Sequence, residues 1–326
     1  MRLYTNQADI PLSLAVYLAT DKYDHNQDPK TISVTGLIKP LKQIIMSGRV
    51  SQEEGLIDLE GLLPSRMGTS IHDGIEHAWI NNKDAAMRAM GYPQRVIDRV
   101  LVNPTADQLT EDCIPVYLER RSERAIAGYT ISGKFDFIGE GRLEDFKTTS
   151  TFTWVNSTKD DDYILQGSIY RWLNQDIVTK DHMAIQFMFT DWSAAQARAN
   201  PKYPSSRTKQ RLFPLMSLAE TENFISQKIR LIETYSQSDE ADLPLCTDAE
   251  LWRREPVWKY YKNPDNTKRS TKNFDSKQEA YLFMAQNKNV GKIVEVPGKA
   301  VACKYCRALP ICNQAKNLIA AGDLDI

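Results

Sequence analysis

The stretch that most restricts this chain runs from Ile131 to Ser150, Ile-Ser-Gly-Lys-Phe-Asp-Phe-Ile-Gly-Glu-Gly-Arg-Leu-Glu-Asp-Phe-Lys-Thr-Thr-Ser. Phe135 and Phe137 alternate with Lys134, Asp136 and Ile138 ahead of a Gly-Glu-Gly turn, and Leu143 and Phe146 follow it. That alternation on either side of a glycine turn predicts two short antiparallel strands. Asp136 falls on the first strand and Asp145 on the second, and Lys147, two residues further, shares the face of Asp145. Two carboxylates beside a lysine make a hard-oxygen site for Mg²⁺ or Mn²⁺, with a cation to position water, which is the equipment of phosphodiester hydrolysis. A solvated hairpin with surface charges is the plainer alternative. Acid-x-Lys occurs three times, at Asp28–Lys30, Asp145–Lys147 and Asp275–Lys277. Only the middle one follows an aromatic strand carrying a second Asp across a tight turn.

The chain has 326 residues, room for one large or two modest domains. With 42% hydrophobic and 25% charged residues it has the composition of a globular protein with a full core. A net charge of −1 excludes a generally basic nucleic-acid binder, so contact with DNA must rest on local patches. No apolar run reaches the ~18 residues of a membrane helix, and the first residues hold no apolar signal segment. A cytoplasmic location without a membrane partner is expected. Of five cysteines, three lie in Cys303-Lys-Tyr-Cys306-Arg-Ala-Leu-Pro-Ile-Cys312, which in that compartment suggests metal rather than disulfides.

Three regions are expected. Residues 1–64 read as an irregular N-terminal helical lobe, with short helices over Leu12–Thr20 and Thr35–Met46 and with Arg2, Lys39, Lys42 and Arg49 as surface cations. Residues 65–240 hold the core and residues 241–326 a cysteine-bearing C-terminal module. Ile71, Ile75, Ala78 and Trp79 make a helical apolar stripe, Gly68 would let the helix start approach another backbone, and His72 and Glu76 stand one turn apart. That pair can share a metal or make a surface hydrogen bond. Helices are expected around Pro93 and strands from Ile114 to Tyr129. Glu119 either reaches the site or pairs with Arg120 or Arg121.

Asp160–Asp162 would cap a helix that buries Leu165, Ile169, Trp172 and Leu173. Gln166 and Tyr170 then fall on another face, suited to a DNA strand or to metal-site water. Met183–Thr190 reads as a strand, and residues 198–211, with five basic residues and a tyrosine, as a mobile phosphate-binding loop. Ser217 and Glu220 form a capping box ahead of a long helix. The tail predicts a hairpin from Trp258 to Phe274, a helix from Ser276 and a strand near Lys292–Val296.

In this order, Gly68–His72, Gly133–Asp136, Asp145–Lys147 and Gln166–Tyr170 resemble the signatures of the RecB-like branch of the PD-(D/E)XK nucleases: Gly-x-x-x-His, Gly-x-x-Asp, acid-x-Lys and Gln-x-x-x-Tyr. Cys303-x2-Cys306-x5-Cys312 is similar to the iron–sulfur subgroup that includes AddB and the CRISPR-associated members. Ile10–Thr20, Thr190–Ser193 and Leu245–Trp252 extend the likeness to phage-encoded iron–sulfur exonucleases, over essentially the whole chain. The resemblance implies an α/β fold of the restriction-endonuclease type, a mixed central sheet flanked by helices, with the cysteine module packed on it. It further implies that Asp136 and Asp145 hold Mg²⁺ or Mn²⁺ with His72 as a further ligand and the Phe146 carbonyl nearby. Lys147 would activate water, Gln166 and Tyr170 would position the strand, and Glu76 would be an outer-sphere or second-metal ligand. The cysteines would hold a [4Fe–4S] cluster, with structural zinc as the alternative. No cysteine precedes His72, where the subgroup takes its first ligand, so the fourth would be Cys246 or Cys113. Cys246 is expected because it opens the same module as the other three.

The implied function is DNA exonucleolysis at ends or single strands in phage recombination or replication. A recombinase, an annealing protein or a helicase is an implied partner, and an oligomer is compatible with the chain. The alternatives are a DNA-binding accessory protein with a weak catalytic centre, and a spacer-processing nuclease of a CRISPR system.

Overall fold

A computed structural model describes residues 3–20, 28–51 and 55–326; Arg2, expected among the surface cations, lies outside them. The first part of the chain holds β1 (Tyr4–Thr5), α1 (Leu12–Ala19), β2 (Thr31–Ser33), α2 (Val34–Leu37), α3 (Leu41–Ser47) and β3 (Ile57–Asp58). Next come α4 (Leu63–Ala89), α5 (Gln94–Ile97), β4 (Val100–Val102), β5 (Ile114–Leu118), β6 (Arg121–Ile126) and β7 (Tyr129–Lys134). The centre continues with β8 (Phe137–Gly139), β9 (Arg142–Thr149), α6 (Thr151–Asn156), α7 (Asp160–Leu173), β10 (His182–Phe189), α8 (Ala194–Ala199), β11 (Thr208–Pro214) and α9 (Leu218–Tyr235). The tail adds β12 (Val257–Tyr261), β13 (Lys272–Phe274), α10 (Lys277–Gln286), β14 (Lys292–Val296) and α11 (Asn313–Ala320).

Two compact units result, Met1–Lys39 with Leu56–Leu231, and Pro40–Gly55 with Ile232–Ile326. These boundaries differ from those read from the sequence at 64 and 240. Residues 1–39 do not stand as a separate lobe, because β2 pairs in parallel with β7. Residues 40–55 join the cysteine-bearing unit, because Ile45, Met46 and Val50 bury themselves against Leu243 and Ala308. Lys42 is not an open surface cation there, whereas Arg49 is exposed as expected. Lys42 is 4% exposed and ion-paired with Glu240 at 3.3 Å, and Arg49 donates to the carbonyls of Ser236 and Ser238.

The first unit is α/β, built on a six-stranded mixed sheet in the order β11-β10-β9-β8-β5-β4. The hairpin forms with Gly139 opposite Arg142, which leaves Glu140 and Gly141 as a two-residue turn. Their φ values of 51° and 77° match the primed turn that suits twisted strands. β9 and β10 run parallel, so the chain must cross over between them, and α7 is in that crossover. Leu118 and Phe137 pack with Trp79 of α4 on one side of the sheet. On the other side Tyr163 of α7 packs on Phe187 and Phe213.

α7 is buried nearly all round: Tyr163, Gln166, Gly167, Ser168, Ile169, Tyr170 and Trp172 are interior, and Leu165 and Leu173 are only half-buried. Its N-cap is Lys159, and Asp160–Asp162 lie in the first turn instead, where their charge still suits the helix dipole. The Ser217–Glu220 box closes in both directions, with Glu220 N donating to Ser217 Oγ and Ser217 N to Glu220 Oε2.

The expected basic loop is irregular over residues 200–207. α8 and the edge strand β11 take only its two ends, and Arg207 and Arg211 lie over Trp192 and Trp154. Arg211 also binds Asp160 and the Trp154 carbonyl. Gly68 has no close neighbour, since a Cβ there would meet nothing within 4 Å, so the close approach expected of it is absent. In the second unit β12 pairs antiparallel with β13 and β14, and Trp258 stands opposite Phe274. Ser276 caps α10 through Glu279 N. Among the described residues no helix is long and apolar enough to cross a membrane.

Candidate metal centre

The strand that should carry Asp136 breaks there. β7 ends at Lys134, β8 starts at Phe137, and the two belong to different sheets. The β8–β9 ladder ends at Phe137 opposite Glu144. Beyond it the Asp136 side chain replaces a backbone acceptor, and Phe146 N donates to its Oδ2 at 2.8 Å. The carboxylate is thereby fixed against β9 and 9% exposed.

His72 on α4 reaches the same point. Its Nε2 faces the Phe146 carbonyl at 3.0 Å, and its Nδ1 lies 3.5 Å from both Asp136 Oδ1 and Glu119 Oε1. One ligand atom each from His72, Glu119 and Asp136 falls within 4.8 Å of the others, the one such set of three among the described residues. Glu119 follows β5 with a φ of 51°, a conformation uncommon outside glycine. It pairs with Lys134, not with Arg120 or Arg121. No motif marks it, and the sequence signals were only its charge and its place just past the end of a strand.

Asp145 and Lys147 do share a face, with Nζ 2.6 Å from Oδ2. Gln166 of α7 donates to Asp145 Oδ1 at 3.1 Å. Asp145 is 2% exposed, and its Oδ2, despite the nearby ammonium, has no aligned hydrogen-bond donor. Gln166 therefore braces a carboxylate from inside. Tyr170, one turn on, is also buried, with its ring against Gly133. Glu76 is half-buried and acts on Lys134 through its charge, outside the group of three.

Burial and the neighbouring Asp145 raise the Asp136 carboxyl to about 7. Burial opposes the charged imidazolium of His72, but Glu119, Asp136, the Phe146 carbonyl and Asp145 outweigh it and raise the group to about 9. Glu119 goes the other way and is held low, its burial overcome by His72 and Lys134. For Lys147, burial is overcome by Asp145 and Asp136, so its pKa is raised and the side chain stays an ammonium.

In the second unit Cys246, Cys303, Cys306 and Cys312 line one cavity with Lys42, Met46 and Leu251. Cys246 is clamped to α11 by a reciprocal pair, its N donating to Gln314 Oε1 and Gln314 Nε2 to its carbonyl, both at 2.9 Å. Burial, Glu250 and the other three thiols push the Cys246 thiol up to about 12, so binding a metal there means displacing a proton. Cys113 lies in the other unit, just before β5. All five cysteines are free of disulfides.

No family model and no curated protein matches the chain. Among solved structures, the crystal structure of SSO0001 is similar over 64% of this chain and 79% of that one, at 14% identity and a TM-score of 0.36. A likeness of that degree carries no argument about function, and the site stands on its own geometry.

Proposed function

We propose that this chain is a divalent-metal-dependent DNA nuclease that hydrolyses phosphodiester bonds at ends or in single strands. The observation that carries the reading is the convergence of Asp136, Glu119 and His72, with Asp145 outside that group of three but close enough to raise the Asp136 carboxyl, beside a lysine held protonated. An oxygen-rich set with one imidazole suits Mn²⁺ or Mg²⁺. The buried Asp145 Oδ2 takes only the Lys147 ammonium and has ligand capacity to spare. Asp136, Glu119, Asp145 and His72 Nδ1 would hold the ion, and the Phe146 carbonyl would fix the ring of His72 through Nε2. When bound, such an ion polarises a phosphoryl oxygen and lowers the pKa of its water.

The chain's own residues supply the rest. Lys147, as an ammonium, donates to a non-bridging phosphate oxygen as negative charge builds there. Gln166 keeps Asp145 oriented. A water oxygen bonds to phosphorus, one ester P–O bond breaks, and the products are an alcohol and a phosphate monoester. The preference for ends rests on the RecB-like resemblance, as does a place in phage recombination or replication. The mixed sheet with helices on both faces supports a core of the restriction-endonuclease type.

The four-thiol cavity supports a [4Fe–4S] cluster tying Cys246 to the Cys303–Cys312 loop. A zinc tetrahedron with Zn–S bonds of about 2.3 Å needs sulfurs about 3.8 Å apart. Zinc in that geometry is the alternative metal for the same four thiolates.

The test is anaerobically purified protein incubated with end-labelled linear DNA and a covalently closed circle, each with Mn²⁺, Mg²⁺ or EDTA. Metal-dependent loss of the linear DNA with the circle spared is the expected result, and the labelled end gives the polarity. Cutting of the circle would make the protein an endonuclease. Binding without cleavage under either metal would replace the nuclease reading with that of an accessory protein.

A further inference from the structure

The second unit displays an aromatic pair at its surface. The Trp252 and Tyr305 rings lie 6.0 Å apart, tilted by 40°, and are 43% and 73% exposed. Tyr260, Tyr261 and Phe274 of the same unit are buried, by contrast, while Tyr281 is also exposed. Tyr305 stands between two cysteines of the cavity, Cys303 and Cys306. Trp252 holds a φ of 47°, a strained conformation for a bulky residue. Arg253 keeps it there, its N bonded to the Asp248 carbonyl at 2.9 Å and its Nε to Asp248 Oδ1 at 2.6 Å.

Cations flank the pair along the chain. Arg254 and Lys304 are exposed, and neither is ion-paired among the described residues. Both are close enough to Asp325 to help the Lys299 hydrogen bond hold its carboxyl below the usual range. The adjoining segment Val257–Val296 carries eight Lys and Arg against four Asp and Glu, a net +4 within a chain of net −1. Its exposed loop residues Lys262, Lys268 and Arg269 are likewise unpaired among the described residues. The expected phosphate loop of the first unit, by contrast, commits Arg207 and Arg211 to covering tryptophans.

We propose that Trp252 and Tyr305 form a base-stacking platform for a single-stranded segment of nucleic acid, with Arg254 and Lys304 on its phosphates. Every base offers a π-face, so stacking of this kind tolerates any sequence, and the flanking cations follow the backbone. A duplex keeps its bases stacked on one another and presents only phosphates, so it gains nothing from the rings. The inference takes its substrate class from the nuclease reading but does not depend on cleavage.

The experiment uses the full-length protein in EDTA, with fluorescence anisotropy of a fluorescein-labelled oligothymidylate and of a labelled blunt duplex. Tyr305→Ala and Trp252→Ala are each expected to weaken oligothymidylate binding between about 5-fold and about 150-fold, with duplex binding unchanged. Tyr305→Phe retains affinity, and Lys304→Gln lowers the salt slope by about 1. Because Tyr305 is so exposed, its variants decide the matter even if Trp252→Ala fails to fold. Unchanged oligothymidylate binding by a folded Tyr305→Ala protein overturns the platform, as does an equal loss for duplex and single strand. If that variant also still cleaves with Mn²⁺, the nuclease reading survives. A wild-type protein that neither binds nor cuts DNA removes both.

Discussion

Gln166 and Asp145, twenty-one residues apart, meet in a buried hydrogen bond of 3.1 Å from the amide to Oδ1. The parallel β9–β10 pairing makes the contact, because it forces the chain through α7 and lays that helix against the carboxylate strand. Gln166→Leu keeps the volume and removes the donor. Cleavage is expected to fall about 10- to 100-fold, the range for losing a group that orients a metal ligand. Single-turnover rates at saturating Mn²⁺ measure it, and an unchanged rate would leave Gln166 a purely structural amide.

Glu119 separates a metal ligand from a salt-bridge partner. Glu119→Gln preserves shape and hydrogen bonding toward Lys134 but removes the negative charge facing His72. Mn²⁺ affinity, followed by electron paramagnetic resonance of the free ion, is expected to weaken at least about 10-fold. A loss of thermal stability with Mn²⁺ affinity intact would assign Glu119 to the Lys134 pair alone.

Protons and metal compete at this centre. Asp136 rises from 3.8 to about 7, so the stability it contributes to the metal-free fold is fully present below 3.8 and is lost as pH rises through about 7. His72 rises from 6.5 to about 9, so its contribution is fully present below 6.5 and is lost as pH rises through about 9. The metal-free protein should therefore melt at lower temperature as pH increases across that span. Metal must displace the same protons, so Mn²⁺ binding should tighten from about 7 to about 9 and release protons as it does. Calorimetry in buffers of different ionisation enthalpy reads both, and a pH-independent affinity would contradict the assignment.

What the sequence made legible was local. The Glu140–Gly141 turn and the Ser217–Glu220 box rest on residues a few positions apart, the Trp258–Phe274 hairpin joins two neighbouring runs of the chain, and each forms as expected. Asp136 and Asp145 were legible as a pair, but the strand break at Asp136 was not. The ladder stops there because β7 is drawn into another sheet by β2, about a hundred residues away. Gln166 was readable as special yet was given an open face. α7 is enclosed on nearly every side, so its polar residues turn inward. Glu119 and Lys42 escaped for a related reason: a lone charge carries no periodic signal, and only the fold shows that each is enclosed.

Cys246 and Cys113 make opposite predictions. If the cavity holds the proposed cluster, Cys246→Ala should lose visible absorbance and iron and lower the melting temperature, whereas Cys113→Ala, in the other unit, should change neither. Gln314→Leu keeps all four thiols but removes both hydrogen bonds to the Cys246 backbone, at about 1–3 kcal/mol. Iron content near wild type with faster loss to a chelator is the expected result. Loss of iron from Cys113→Ala would mean that the fourth ligand comes from elsewhere than the cavity.

Gly133 links the fold to the site. A Cβ there would come within 2.6 Å of Val34 Cγ2, 2.7 Å of Tyr170 Cε1 and 3.1 Å of Leu173 Cδ1. Val34 and Tyr170 are both buried, so neither can swing into solvent. Gly133→Ala should therefore cost about 1–3 kcal/mol by overpacking, which lowers the melting temperature by about 2–4 °C per kcal/mol for a unit of this size. Relief requires α7 to move away from β7, and Gln166, one turn before Tyr170, moves with it. Cleavage should then fall along with stability. Tyr170→Leu in the Gly133→Ala background frees the space taken by the ring edge and should restore part of both. If the double variant regains stability without activity, Tyr170 has a role at the centre beyond packing against Gly133.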